Sequence, residues 1–154
     1  MRRSERTEKE PNLGILSAKV LWSFERELFA KLAEQGHPDM RPRHGAVMAF
    51  LDRDGTRASD LARLSGRHKQ VITTLVDELT DLGYVERRPD PDDRRAKLVV
   101  PTARGLDEIK CADAIARTIE RRHAKRLGKE ALADLKRSMA EVAEGGRASG
   151  TTKR

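Results

Sequence analysis

Apolar residues recur every three or four positions through most of the chain, and this is the period of an amphipathic helix. The first such stripe lies between residues 12 and 35 and consists of Leu13, Leu16, Val20, Leu21, Phe24, Leu28 and Leu32. A second predicted helix begins at Pro42, because proline is tolerated in a first helical turn, and it ends in the turn "DRDGT". Its apolar residues are Val47, Met48, Phe50 and Leu51.

Four more helices are predicted after that turn. The segment "ASDLARLS", residues 58 to 65, is a short helix that ends before Gly66. A fourth helix ends before Gly83, and its stripe is Val71, Ile72, Leu75, Val76, Leu79 and Leu82. Thr102 is a candidate N-cap for a long helix that continues to Leu127, and a last helix follows Gly128 and ends near residue 144.

The segment "RRPDPDDRRAKLVV" interrupts the helical pattern. Pro89 and Pro91 lack a backbone N–H, and the aspartates around them favour turns, so neither a helix nor a central strand can continue here. The segment predicts a β-hairpin with "YVERR", residues 84 to 88, as one arm and "AKLVV", residues 96 to 100, as the other. We expect a connection longer than a two-residue turn, able to project from the body of the protein.

The composition favours a helical core and a polyanionic partner. Of 154 residues only 3% are aromatic, so the core must consist mainly of aliphatic side chains, and the net charge of +7 suits a polyanionic partner. No apolar run approaches the roughly 20 residues that span a bilayer, and the first 12 residues lack the apolar middle of a secretory signal. The sequence therefore predicts a cytoplasmic protein.

No cofactor, metal site or enzymatic activity is predicted. The lone cysteine, Cys111, cannot supply a zinc cluster of several thiolates, and we expect it to be structural rather than redox-active. His123 has no second ligand nearby at zinc-type spacing and is expected at an interface or in the core. The sequence contains no glycine-rich phosphate loop after a strand and no recognisable motif that pairs a nucleophile with a base.

The third and fourth predicted helices are joined by "LSGRH", a short connection with a glycine that is typical of a helix-turn-helix. In that motif the second helix lies in the major groove of DNA. Short helical hairpins also occur in folds that never contact DNA, but a hairpin directly after the pair forms a wing, and together they favour a winged helix-turn-helix. The predicted fold is therefore mainly α with a small β-hairpin wing.

The segment "DLARLSGRHKQVITTLVDELTDLGYVERRPDPDDRRAKLVVPTARG" resembles the MarR family of bacterial transcription regulators in its helix pair, in "GYVER", and in a wing signature of Asp-x-Arg followed by Thr. Asp93, Arg95 and Thr102 occupy the signature positions, and Pro101 replaces the leucine that usually precedes the threonine. By the order of elements the resemblance covers residues 12 to 144. It implies DNA binding, terminal helices that interlock two subunits, and a small, often aromatic or anionic effector.

Base recognition is expected from the fourth predicted helix. Counting 100° per residue, the face opposite its apolar stripe carries Gln70, Thr73, Thr74 and Asp77, with Arg67 and Lys69 on the flanks. Gln can pair with adenine, and Thr can hydrogen-bond a base or contact a thymine methyl. Asp77 would repel phosphates, so the base contacts should be confined to the first two turns. The alternative interpretation is a solvated polar face.

The predicted wing carries a second set of DNA contacts. Arg94 and Arg95 are candidates for insertion into a narrow minor groove, and Asp93 could brace one of them by a charge-assisted hydrogen bond. The alternative is a charged, solvated loop tip. Between residues 57 and 100 nine basic residues stand against eight acidic ones, so a basic surface requires that the charges be segregated.

The remaining helices predict a homodimer that binds an inverted-repeat site, because their apolar stripes are not needed to read DNA. Ligand-pocket candidates, by position alone, are Trp22, His44 and Met48, and the alternative for Trp22 is a core position.

The predicted organisation is a flexible leader (1–11), a dimerisation helix (12–40), the DNA-binding module (41–101), two dimerisation helices (102–144) and a flexible tail (145–154). Two rival functions stay open, a winged helix that binds another protein and a sequence-nonspecific architectural DNA binder.

Overall fold

The structure, a computed structural model, describes residues 1–148, with side chains described through residue 145. The order of elements is α1 (Arg3–Lys9), α2 (Leu13–Glu34), a 3₁₀ turn (Pro42–His44), α3 (Gly45–Met48), β1 (Thr56–Arg57), α4 (Ala58–Ser65), α5 (Lys69–Asp81), β2 (Val85–Asp90), β3 (Asp93–Pro101), α6 (Ala103–Leu127) and α7 (Lys129–Ala148). The predicted fold, mainly α with a small β-hairpin wing, is confirmed.

Two compact units are present, Met1–Ile115 and a second that begins at Ala116. The core of the first unit lies between the short helices and the sheet, and consists of Met40, Val47, Met48, Leu51, Leu61, Ile72, Leu75, Val76, Leu79, Tyr84, Val85 and Val99. None of the helices within residues 1–148 has an apolar stretch that could cross a membrane.

The joint between α4 and α5 depends on Gly66. This residue closes α4 with a left-handed backbone, φ 69°, which costs little for a residue without a Cβ. The turn is held by a hydrogen bond of 3.2 Å from Arg67 N to the carbonyl of Ala62. The helix pair that the sequence predicted is therefore formed as a helix-turn-helix.

Thr102 caps the long helix α6, as predicted. Its Oγ1 accepts a hydrogen bond of 3.1 Å from Gly105 N, which satisfies one of the free donors of the first turn. The same hydroxyl donates to the carbonyl of Gly83 at 2.6 Å. One side chain thus links the start of α6 to Gly83, just beyond the end of α5.

The sheet has the strand order β1-β3-β2 and is antiparallel throughout. The hairpin connection is shorter than predicted, because β2 continues to Asp90 and β3 begins at Asp93, which leaves only residues 91 and 92 between them. Pro89 pairs with Lys97, yet Asp90 pairs with Asp93, so residues 94–96 form a bulge in β3. The arm predicted to end at Arg88 continues through Pro89 to Asp90, because β2 is an edge strand, where a missing N–H is tolerated.

The predicted second helix is shorter than expected. Only the 3₁₀ turn and one turn of α3 form, and Phe50 lies beyond them, 37% exposed. The predicted turn "DRDGT" instead leads into β1, where Thr56 pairs with Val99. A strand of two residues is too short to show a period in the sequence.

The chain ends also differ from expectation. The leader, predicted to be flexible, contains α1, whose first turn is closed by a hydrogen bond of 3.0 Å from Arg2 N to the Glu5 carboxylate. Glutamate, arginine and lysine are good helix formers, which explains a helix without buried residues. At the other end α7 continues through residues 145–148, which were predicted as tail, while residues 149–154 lie outside the described part of the chain.

Candidate nucleic-acid interface

The recognition helix α5 presents a buried face and an exposed polar face at the predicted positions. Ile72, Leu75, Val76 and Leu79 are buried. The exposed side chains of this helix are Lys69, Gln70, Thr73, Thr74 and Asp77, and Arg67 is exposed in the turn just before it. Val71 was predicted to belong to the apolar stripe, but it is 42% exposed because it lies at the edge of the buried arc.

The two threonines on the exposed face hydrogen-bond their own helix. Thr73 Oγ1 donates to the carbonyl of Lys69 at 3.0 Å, and Thr74 Oγ1 donates to the carbonyl of Gln70 at 3.1 Å. With the hydroxyl protons used in this way, each side chain keeps an acceptor oxygen and a methyl group for a partner. The arrangement suits contact with a thymine methyl better than donation to a base.

A cavity of about 310 Å³ lies beside α5 and brings together three of the predicted residues, Arg67, Gln70 and Thr74. Its opposite wall includes Arg43, whose Nε donates to Glu78 Oε2 at 2.9 Å. The hydrogen bonds from Arg43 and His44 lower the pKa of Glu78, so its carboxylate remains ionised and paired. This wall is therefore fixed by an ion pair that joins the 3₁₀ turn to the recognition helix.

A second cavity, of about 340 Å³, brings the recognition helix and the wing together. Lys69 of α5 and Arg95 of the wing both line it, although they stand 26 positions apart in the chain. Three further cationic side chains line the same cavity, namely Arg57, Arg87 and Lys97. Arg57 and Arg87 are paired with Asp90 and Asp77, so the unpaired charges of this groove are those of Lys69, Arg95 and Lys97, which attract phosphate groups.

The tip of the wing is held by Asp90, which the sequence did not indicate as important. Asp90 is 5% exposed, and its Oδ2 accepts a hydrogen bond of 2.6 Å from Arg57 Nε on β1. The backbone N–H of Asp92 and the Arg57 guanidinium together lower the pKa of Asp90. Aspartates are common in turns bounded by proline, so the sequence contains no sign that Asp90 differs from Asp92 or Asp93. Its contact with Arg57 is visible only in the folded chain.

Asp93 does not brace an arginine side chain. Its Oδ1 accepts a hydrogen bond of 3.0 Å from the backbone N of Arg95, which shapes the bulge instead. Among the described residues, the guanidinium groups of Arg94 and Arg95 have no ion-pair partner, and both side chains are exposed. The wing therefore presents two unpaired cations at its tip.

Most acidic side chains of this module are paired with basic ones. Five of the eight between residues 57 and 100 form ion pairs, as in Asp77 with Arg87 at 2.6 Å, Glu86 with Arg88, and Asp60 with Arg63 at 3.5 Å, whereas Asp81, Asp92 and Asp93 form none within the described residues. The pairing with Arg87 removes the phosphate repulsion expected of Asp77. Between residues 57 and 100, the cations without an ion-pair partner among the described residues are Arg67, Lys69, Arg94, Arg95 and Lys97.

The three predicted pocket residues lie in different surroundings. Trp22 is 61% exposed on α2, so its alternative as a core residue was wrong. His44 is fully buried; its Nδ1 accepts from Arg41 N at 3.0 Å and its Nε2 contacts Glu78 at 3.0 Å. Burial lowers the pKa of His44, so the ring is a neutral link between the 3₁₀ turn and α5. Met48 belongs to the core. A ligand site at these residues stays a prediction.

Comparison with known proteins agrees with this arrangement. The model of the MarR family matches residues 39–96. A curated relative, the uncharacterized HTH-type transcriptional regulator YcgE of Bacillus subtilis (strain 168), is 40% identical over 53 residues. That match spans 34% of this chain and 34% of the relative.

Solved structures share the fold over most of the chain. CouR from Rhodococcus jostii RHA1, bound to p-coumaroyl-CoA, is similar with a TM-score of 0.71 and 24% identity, covering 86% of this chain and 92% of CouR. A mutant of MarR from E. coli, complexed with operator DNA, is similar with a TM-score of 0.70 and 24% identity, covering 89% and 96% of the two chains. The resemblance drawn from the helix pair and the wing signature is confirmed: the model of the MarR family matches residues 39–96, and the solved structures share the winged helix-turn-helix fold.

Proposed function

We propose that this chain is a homodimeric repressor that binds an inverted-repeat operator in double-stranded DNA and is released by a small-molecule ligand. The observation that carries the proposal is the shared cationic groove of Lys69 and Arg95, which lies beside the exposed Gln70 and Thr74. A phosphate backbone in that groove would place α5 and the wing on the same duplex. Phosphate contacts position a protein, and base contacts give it specificity.

Base reading is assigned to the first two turns of α5. Gln70 is exposed there and offers a donor and an acceptor to adenine N7 and N6. Thr73 and Thr74 offer their methyl groups to thymine, because their hydroxyl protons bond the helix. Arg67, in the turn just before the helix, can reach either guanine or a phosphate.

The homodimer is supported by apolar faces that the chain leaves exposed. On α2 the side chains of Leu13, Leu16, Val20 and Leu21 are 45–59% exposed. On α7 those of Leu135, Met139 and Val142 are 45–55% exposed. Apolar patches of this kind mark interaction sites, and a two-fold dimer would present two recognition helices to an inverted repeat.

The proposed effector is a small aromatic or anionic molecule. The structure of CouR, which shares this fold, contains p-coumaroyl-CoA, a compound with both properties. Release of the operator by such a ligand would require that the ligand bind the DNA-free form more tightly than the DNA-bound form.

The test compares Gln70→Ala with Arg67→Ala. The operator is first obtained by selecting duplexes from a random pool with the purified protein, and an inverted repeat is expected. Gln70→Ala should cost about 1 to 3 kcal/mol on that duplex, relax preference at one position in each half-site and leave the salt dependence nearly unchanged. Arg67→Ala, if the side chain holds a phosphate, should weaken binding on all duplexes and reduce the salt slope by about one unit per half-site contact.

The measurement is a salt titration of both variants against the selected duplex and a scrambled one. Equal weakening of the two duplexes by Gln70→Ala would show that α5 does not read bases. Failure to select any sequence, with tight salt-dependent binding, would identify an architectural DNA binder. Absence of binding to any duplex would favour a winged helix that binds another protein.

The wing is tested by Arg95→Ala. We expect operator binding to weaken by about 1 to 3 kcal/mol with the fold intact, because the exposed guanidinium contributes little to the core. The matched control is Arg88→Ala, which removes a guanidinium from the same hairpin that is already paired with Glu86. If both variants bind like the parent chain, the wing is not a DNA contact.

A further inference from the structure

A second group of chemically active side chains lies away from the DNA-facing surface described above. His37 follows α2, while Asp107 and Cys111 stand one turn apart on α6, all within the first compact unit. We propose that His37, Asp107 and Cys111 form a binding site for a divalent transition-metal ion of the zinc class. The proposal is independent of the proposed DNA-binding function.

The three donor atoms are close enough to share one ion. His37 Nε2, an Asp107 carboxylate oxygen and Cys111 Sγ all lie within 4.8 Å of one another. His37 Nε2 is 2.8 Å from Asp107 Oδ2, and that oxygen is 4.0 Å from Cys111 Sγ. Ligands of tetrahedral zinc are separated by roughly 3.3 to 3.8 Å, so small side-chain rotations would close the site around an ion.

The hydrogen bonds of His37 direct its second ring nitrogen toward Asp107. Tyr84 has one hydroxyl proton and donates it to Asp39 Oδ1 at 2.5 Å. His37 Nδ1, 3.1 Å from the same hydroxyl oxygen, must therefore donate its own proton to Tyr84. The other nitrogen, Nε2, then faces the Asp107 carboxylate at 2.8 Å, and in a neutral ring it carries the lone pair that can bind a metal ion.

Tyr84 also fixes the orientation of the imidazole ring. His37 is 3% exposed, and its ring packs at a tilt against Tyr84 with centroids 5.5 Å apart. A metal-ligating histidine commonly donates its second N–H to a neighbouring oxygen, which sets the tautomer and the direction of the lone pair. The hydroxyl oxygen of Tyr84 is placed to accept this hydrogen bond from His37 Nδ1.

Acidic side chains next to the site favour a cation. Glu108, adjacent to Asp107 in the chain, is 3% exposed, and its Oε2 has no hydrogen-bond partner within the described residues. A metal ion would supply the positive charge that allows a thiolate to form.

The donor set indicates the class of metal. An imidazole, a thiolate and a carboxylate suit Zn²⁺ and its spectroscopic substitute Co²⁺ rather than Mg²⁺ or Ca²⁺, which take oxygen ligands. The Asp107 side chain is 60% exposed, so an ion can enter from solvent and keep a water molecule as its fourth ligand. The three residues were not recognised in the sequence because 70 positions separate His37 from Asp107.

The experiment is a Co²⁺ titration of the tag-free, full-length chain, stripped with a chelator and kept reduced. One Co²⁺ per chain is expected, with the visible bands of a low-coordinate ion and a thiolate-to-cobalt charge-transfer band in the near ultraviolet. Because the chain has a single cysteine, that band can arise only from Cys111. Addition of Zn²⁺ should abolish both sets of bands.

Two variants and a control complete the test. Cys111→Ser should bind Co²⁺ without the charge-transfer band and more weakly, and Asp107→Asn should lower Co²⁺ affinity at least about tenfold, since even outer-shell changes cost roughly 10 to 100-fold. Asp113→Asn removes the same charge from an exposed position on the same helix and should change affinity less than about twofold. Absence of the charge-transfer band at excess Co²⁺, or equal weakening by Asp107→Asn and Asp113→Asn, would overturn the proposal.

Discussion

Gly105→Ala is expected to lower the free energy of unfolding by at least about 3 kcal/mol, at the upper end of the range for overpacked sites. A Cβ at this position would lie 2.1 Å from the carbonyl oxygen of Tyr84 and 3.2 Å from Pro101 Cβ. That carbonyl cannot simply turn away, because it accepts a hydrogen bond of 3.0 Å from Thr102 N. The start of α6 must therefore move away from Tyr84, the residue that leads into β2.

The control for Gly105→Ala is Gly45→Ala. Gly45 has an ordinary helical backbone, φ −59° and ψ −26°, and a Cβ built there meets no atom within 4 Å. This second change should raise stability by about 0.4 to 1 kcal/mol, because alanine restricts the unfolded chain. Both are measured by urea unfolding at one protein concentration, because the proposed dimer would link stability to concentration. If Gly105→Ala unfolds like the parent chain, α6 does not approach Tyr84 as closely as described.

Leu61→Ala should destabilise the fold by about 2 to 5 kcal/mol. Leu61 is fully buried in α4 within the core cluster, so its removal leaves a cavity beneath the helix-turn-helix. Leu64→Ala removes the same atoms from the same helix, but Leu64 is 36% exposed and solvent can reach the space it leaves. We expect the second change to cost about 1 kcal/mol or less.

The two leucine variants are compared by the same urea unfolding. The difference between them isolates burial, because the chemistry of the substitution and the helix are identical. Equal losses of stability would mean that α4 does not present Leu61 to the core, and the orientation of the recognition helix beside it would then be wrong. Retention of the parent unfolding slope m would show that both variants unfold from a similarly compact state.

Much of the module that carries the candidate interface could be predicted from the sequence. Periodicity within one helix determines which side is buried, so Ile72, Leu75, Val76 and Leu79 and the opposite face of Gln70, Thr73 and Thr74 were placed correctly. Local turn chemistry located the joint at Gly66 and the cap at Thr102. Patterns fail at the margins of a stripe, and for that reason Val71 was assigned to the buried face.

Interactions between neighbours along the chain control the helix-turn-helix, the hairpin that follows it and the polar face of α5, and these features could be predicted from the sequence alone. The packing of the folded chain sets which distant side chains meet. It paired Asp90 with Arg57, placed Lys69 beside Arg95, and brought His37 to Asp107 and Cys111. It also left Trp22 exposed on α2. The physical reason is that a period reports one face of one element, whereas the partner of that face is set by how elements pack, and packing joins residues at any separation in sequence.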